Sequence, residues 1–443
     1  MGNWTASGSL LWGKDREHSL SVPALLAGLA SMAILPYLPF LTLPLISDDY
    51  VQIYLARSFA GWKGLQELAG DALYRCRATS LLLTWLLDAV FGPRAAVFFA
   101  TGIVLHVVNT WLVFALGRWE LVGYRLSAVA AAFFAIYEGH QEAVVWHAAS
   151  PELLLFLFST AALVCWVEWL QTGMRSRGLY AGTCLLFLLA LLSKEPAVMT
   201  PVLFAFASWS AGRLRASVVW LAPMFALCAG YTLLAFAAKQ HHLHFNDGTF
   251  SLSAPFVLTL LNSGLRLFWF WGLLASVAIW FLDKRPGGFS GVMPAFWIVV
   301  TFLPYSFLTY MLRVPSRHTY WASAGLAFIV AGGILSLTLR PFTARLLPWV
   351  AGLLLVHNVS YLWIKKLPQF EARAAVTERF LQFASMEPGP IRVKCFEVSP
   401  YVARMAAQIR LNRAPMEIRF DGDPPFPGQS EALYCGEEKR GRR

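Results

Sequence analysis

Charge is what this chain of 443 residues has least of. Asp, Glu, Lys and Arg together make up only 14% of it against 57% hydrophobic residues, and the mean hydropathy is +0.55. An ordinary soluble domain is excluded at that balance. No glycine-rich phosphate loop, serine nucleophile elbow or HExxH helix occurs, which argues against nucleotide-driven transport and against a soluble-type hydrolase. The six cysteines form no CxxC pair, and Cys165, Cys184 and Cys228 lie in apolar runs where they serve as small hydrophobes. A bridge between Cys395 and Cys435 stays open, since it needs an oxidising compartment. The net charge of +11 belongs to Lys and Arg dispersed in short loops, so a nucleic-acid-binding face is absent too. No long-period repeat is present.

What fills the chain is apolar runs, the first from 22 to 46. Others run from 95 to 117, 126 to 145, 152 to 170, 179 to 193, 197 to 211, 217 to 237, 254 to 281, 291 to 311, 320 to 339 and 346 to 364. They predict an all-α polytopic membrane protein of about 11 transmembrane helices. The polar start with Lys14 and Arg16 reads as an uncleaved signal anchor with a cytoplasmic N-terminus. The loop 47–78 predicts surface-lying helices, and the apolar piece 79–91, short and carrying Asp88, an interfacial one. That choice puts the basic pairs Arg118/Arg125, Arg175/Arg177, Arg213/Arg215, Lys284/Arg285 and Arg340/Arg345 on the inside, as the positive-inside rule requires. Residues 1–364 then form the membrane module. The stretch 365–443 forms an external α/β cap with helices at 371–386 and 401–411, strands at 391–398 and 416–420, and a Pro- and Gly-rich loop at 421–428.

The outer edge collects the interesting polar residues. Asp48 and Asp49 follow directly on the first apolar run. Charges inside hydrocarbon are costly, so the pair belongs in the polar interface, where it is placed either to serve a lipid-borne substrate as a base or simply to end a helix. Tyr137 to His147 brings Glu138, His140, Glu142 and His147 to the same edge, with Glu138 and Glu142 sharing a face if the helix continues. Lys194, in Ser193-Lys194-Glu195-Pro196, either pairs with its neighbour or faces an anionic ligand such as a phosphate. Arg317, with His318 and Tyr320, is a similar case, or else a snorkelling interfacial arginine. His241, His242, His244 and Asp247 fit no standard metal-ligand spacing.

In order along the chain, Asp48-Asp49, Tyr74-Arg75, His106 with Asn109, His140-x-Glu142-Ala143-Val144, Ser193-Lys194-Glu195 and Arg317-His318-Thr319-Tyr320 resemble the motifs of the GT-C membrane glycosyltransferases. The likeness is to the protein O-mannosyltransferase superfamily and its tetratricopeptide-containing transmembrane branch. Cys76 stands where that branch has proline, Tyr137-Glu138 replaces His-Pro, Ser150-Pro151-Glu152 follows where Gly-Arg-x-Asp is usual, and the repeats are missing. The resemblance implies a polyprenyl-phosphate-linked sugar donor and inverting transfer to a hydroxyl of a protein, lipid or glycan acceptor at the external face. It implies Asp48, or else Asp49, as base, Glu138, His140 and Glu142 to orient acceptor or base, and Arg75, Lys194 and Arg317 to offset charge on the leaving phosphate. No metal and no cofactor are expected, and a bacterial inner membrane is the expected location. A membrane transporter or flippase of lipid-linked or small polar solutes is the competing reading, since intramembrane acids and histidines also build proton relays.

Overall fold

The structure is a computed structural model describing residues 21–284, 289–309, 313–394, 396–424, 426 and 431–435. The polar start of the expected signal anchor, Arg285, Cys395 of the bridge left open above, and the basic end all lie outside these residues.

The first helix, Val22–Ile34, starts on Ser21, whose Oγ accepts the Ala24 N–H at 3.4 Å. Pro36 and Pro39 then tighten the chain into the 3₁₀ segment Leu35–Thr42, because proline lacks the N–H that an α-helix needs. The span closes at Thr42, earlier than the expected 46. By length and composition, Val22–Thr42, Ala95–Arg118, His147–Gln171, Leu214–Ala237 and Pro341–Met386 can each cross a membrane. Phe256–Phe268 and Trp271–Leu282 make a sixth only as a pair bent by 75°. The break sits at Phe270, a non-glycine residue with φ 66°.

Other expected spans are shorter helices. Tyr124–Ile136, Arg177–Leu191, Thr200–Ser210, Val292–Phe302 and Ser323–Leu337 have 11 to 15 residues. At about 1.5 Å per residue none spans roughly 30 Å of hydrocarbon as an α-helix alone, so length does not establish the expected count. Buried Trp166, Trp169, Trp297 and Trp321 fill the core between helices. At Gly333 a Cβ would lie 2.7 Å from Ala275 Cα, and its absence lets Ser323–Leu337 cross close against Trp271–Leu282.

Between the first two long spans stand Asp48–Ser58, Gly61–Gly70 and Ala78–Phe91. Asp88, the charge within the apolar Ala78–Phe91, takes two bonds from Arg57, at 2.7 and 2.8 Å. The expected boundary at 364/365 is not a break. Helix Leu347–Ser360 runs through a π turn, Tyr361–Lys366, into Leu367–Met386, so one continuous helical run leads from the apolar body into the tail.

Beyond it, strands β1 (Ile391–Lys394), β2 (Ile418–Phe420) and β3 (Ala432–Cys435) form a parallel sheet of order β2-β1-β3, with Ile391 opposite both Ile418 and Ala432. Helix Pro400–Leu411 makes the crossover between β1 and β2. The first strand is shorter than the expected 391–398, and β3 lies beyond the stretch read only as loop.

Candidate active site

The turn into Asp48–Ser58 is strained. Ser47 holds φ 46° and ψ −107°, a region that side chains other than glycine rarely adopt. Asp49 braces it from within. It is fully buried; its Oδ2 accepts the Ile46 N–H at 2.9 Å and its Oδ1 the Ala148 N–H at 2.8 Å. Burial outweighs these two bonds and, with Asp48 adding its charge, raises the Asp49 carboxyl to about 7.

Asp48 is the opposite. Its side chain is exposed and makes no hydrogen bond or ion pair with any of the described residues. Protein walling one side raises its carboxyl, against the pull of Arg373 and Arg317.

Those two arginines share one aromatic. The Arg317 guanidinium lies 5.0 Å from the Trp146 ring centre, and that of Arg373 lies 4.5 Å from it, both within cation–π range. Glu142 fixes Arg317: its Oε2 accepts the Arg317 backbone N–H at 3.2 Å and sits 3.8 Å from the guanidinium. Ser316 Oγ donates to Gln141 Oε1 at 2.9 Å, which docks the turn Ser316–Thr319 on helix Gln141–Val145. Lys366 and Arg266 stand near enough to act electrostatically on the same group of charges. One exposed carboxylate therefore lies within electrostatic reach of two guanidinium groups held on one aromatic ring.

Of the expected site residues, the structure gathers Asp48, Glu142 and Arg317, with Asp49 beneath them. Lys194 stands apart from this group. It is buried and its Nζ donates to Glu152 Oε1, which also bonds His318 Nδ1, while the Tyr305 hydroxyl donates to Oε2 at 2.6 Å. The ion pair of Lys194 is with Glu152 and not with its neighbour Glu195, whose partner is Arg77 at 3.7 Å. Arg75 turns to the Leu234 carbonyl at 3.2 Å.

His140 lies in the core. It is fully buried, shares a 2.7 Å bond with Ser323 Oγ, and packs its ring against Phe134, His106 and Tyr320. Around it the Tyr320 hydroxyl meets His106 Nδ1 at 2.8 Å and Asn109 Nδ2 at 3.3 Å, so motif residues from three segments form a core knot. Glu138 does not share a helical face with Glu142, because 3₁₀ turn Glu138–His140 precedes the helix. Its backbone N–H bonds Asn358 Oδ1 at 3.0 Å, and burial raises its carboxyl to about 7 against the pull of Lys366. His244 is engaged with Arg77 at 3.3 Å. Among the described residues no three His, Cys, Asp or Glu side chains converge to hold a metal ion.

Arg373 and Trp146 are not among the site candidates the sequence offers, and Glu152 figures there only as a departure from the motif. Lys365-Lys366 marks a cationic approach, but nothing local reports that Arg373 folds back onto Trp146.

No protein-family model matches the sequence, and no curated protein matches it significantly. Among solved structures the chain is similar to ArnT from Cupriavidus metallidurans bound to undecaprenyl phosphate, with 14% identity over 90% of each chain and a TM-score of 0.46. It is also similar to the oligosaccharyltransferase of Archaeoglobus fulgidus tethered with an acceptor peptide, with 11% identity and a TM-score of 0.50. That match covers 89% of this chain and 64% of the other, so this chain spans less than two thirds of the oligosaccharyltransferase's length. At such identities the likeness is one of fold, a mostly helical integral membrane body.

Proposed function

We propose that this chain is a membrane glycosyltransferase that moves a sugar from a polyprenyl-phosphate-linked donor to a hydroxyl acceptor at the external face, with inversion and with Asp48 as base. The observation that carries the reading is the Asp48 carboxylate, without a hydrogen-bond or ion-pair partner among the described residues, within the electrostatic reach of Arg317 and Arg373 on Trp146. The fold likeness to GT-C glycosyltransferases supports it, and the ordered motifs favour the O-mannosyltransferase branch. A bacterial inner membrane, with the cap on its outer side, fits the same reading.

The acceptor oxygen attacks the anomeric carbon from the face opposite the phosphate. Its proton passes to Asp48, and the bond from the anomeric carbon to the phosphate oxygen breaks with its electron pair leaving on that oxygen. The lipid phosphate thereby goes from diester to monoester and gains a negative charge. Arg317 and Arg373, with Lys366 and Arg266 behind them, offset it. Glu142 keeps Arg317 in place, and Asp49 holds the turn that displays Asp48. In this reading the cationic side chains offset the charge on the leaving phosphate, and the proposal calls on no cofactor.

Membranes containing the full chain are given labelled polyprenyl-phosphate hexose, pentose and amino-sugar donors. The reading expects label to reach an acceptor with the wild type and transfer to fall about 10²–10⁴-fold in Asp48→Asn. Movement of the donor across the bilayer without sugar transfer would replace it with a flippase.

A further inference from the structure

The helix that carries Asp48 is gripped from a second side, by the C-terminal unit. Tyr50, two residues beyond Asp48, is fully buried, and its hydroxyl donates to Glu378 Oε1 at 3.0 Å. Glu378 is five residues beyond Arg373 on Leu367–Met386, about 7.5 Å along that helix. One rigid helix therefore delivers both the guanidinium on Trp146 and the acceptor for Tyr50. Arg410 of the crossover helix lies 3.8 Å from the same Glu378 oxygen and fixes it from the far side. Tyr50 and Ile53 share an apolar cluster with Phe380, Leu381, Ala403 and Ala407, and the Tyr54 ring meets Tyr401 edge-on at 6.2 Å.

An 11-residue helix is marginal on its own. This one begins on the strained Ser47, and such strain persists only where the surroundings over-determine it. Asp49 supplies one brace, from the loop at Ala148. The other lies across the interface with the C-terminal unit.

We infer that Glu378 is a positioning residue for the transfer: acting through the Tyr50 hydroxyl, it fixes the first turn of Asp48–Ser58 and with it the aim of the Asp48 carboxylate. The C-terminal unit is then a working part of the catalytic centre. The inference rests on the reading of Asp48 as the base.

The test uses the full chain in proteoliposomes with Tyr50→Phe, Glu378→Ala and Glu378→Gln, the last of which keeps an acceptor oxygen. A misaimed base costs rate without costing donor binding, so kcat is expected to fall about tenfold in the first two variants with donor KM within about twofold, and Glu378→Gln to stay within about twofold of wild type. A second arm needs no transfer: labelling of carboxyls by a water-soluble carbodiimide, read by mass spectrometry. Asp49 should be protected in wild type and Glu378→Gln, and should become labelled in Tyr50→Phe and Glu378→Ala as the turn loosens. Unchanged kcat in Tyr50→Phe, an effect confined to KM, a Glu378→Gln variant as impaired as Glu378→Ala, or Asp49 protected in all variants would overturn the inference. If the wild type transfers no sugar, the reading of Asp48 falls, while the labelling arm still decides whether Glu378 holds the turn.

Discussion

Exchanging the two adjacent aspartates for asparagine, one at a time, should separate stability from activity. At Asp49 both carboxylate oxygens accept backbone N–H groups, at 2.9 and 2.8 Å, with no exposure to water. Asparagine can accept only one of them and turns its own NH₂ toward the other, leaving a buried donor unsatisfied at a cost of about 1–3 kcal/mol. The strain at Ser47, typically about 1–3 kcal/mol, then loses its inner brace. Asp49→Asn should therefore destabilise the fold by about 2–4 kcal/mol. At Asp48 no protein partner is lost among the described residues, so Asp48→Asn should unfold like the wild type. Its loss should appear in turnover instead, about 10²–10⁴-fold, the usual share of a positioned base. Thermal unfolding in detergent measures the first effect and transfer from a labelled polyprenyl-phosphate sugar the second. An Asp49→Asn variant as stable as wild type, together with an unstable Asp48→Asn, would refute the division of labour.

Three further outcomes follow from the same geometry. Glu152→Gln removes the carboxylate that Lys194 and His318 share and should cost about 3–5 kcal/mol in a denaturation experiment, the usual penalty for an orphaned buried charge. Adding Lys194→Met should recover most of that loss. Tyr320→Phe strips one hydroxyl from both His106 and Asn109, with an expected loss of about 1–3 kcal/mol and a similar donor KM. The Asp49 carboxyl is raised in the folded chain to about 7 from its ordinary 3.8, so between these values the folded state holds the proton more tightly than the unfolded one. Its contribution to stability is complete below about pH 4 and is lost as pH rises through about 7; midpoints of unfolding across that window should fall with pH less steeply in Asp49→Asn than in wild type.

Much of the plan is legible in the chain itself. Apolar runs mark the long helices, basic pairs mark their turns, and Asp48-Asp49 marks the point where the chain leaves its first span. What is hidden is pairwise and distant. Nothing near Asp49 says that it will cap Ile46 and Ala148 while its neighbour stays open. Lys194 looks like a ligand group until Glu152, 42 residues earlier, arrives to neutralise it. Arg373 lies in a stretch read as a separate cap, because Lys365-Lys366 looks like the end of a span. The π turn at Tyr361–Lys366 lets the helix continue instead. His140 has the composition of a site residue, and only the packing of Phe134, His106 and Tyr320 around it assigns it to the core.

Chemical rescue bears most directly on Asp48 as the base. Asp48→Gly removes the carboxylate and leaves room for a small one, so the assay measures sugar transfer by this variant with increasing formate or acetate. Transfer that is absent without the added acid and rises in proportion to it is the result this account predicts. Full transfer without any added carboxylate would contradict it.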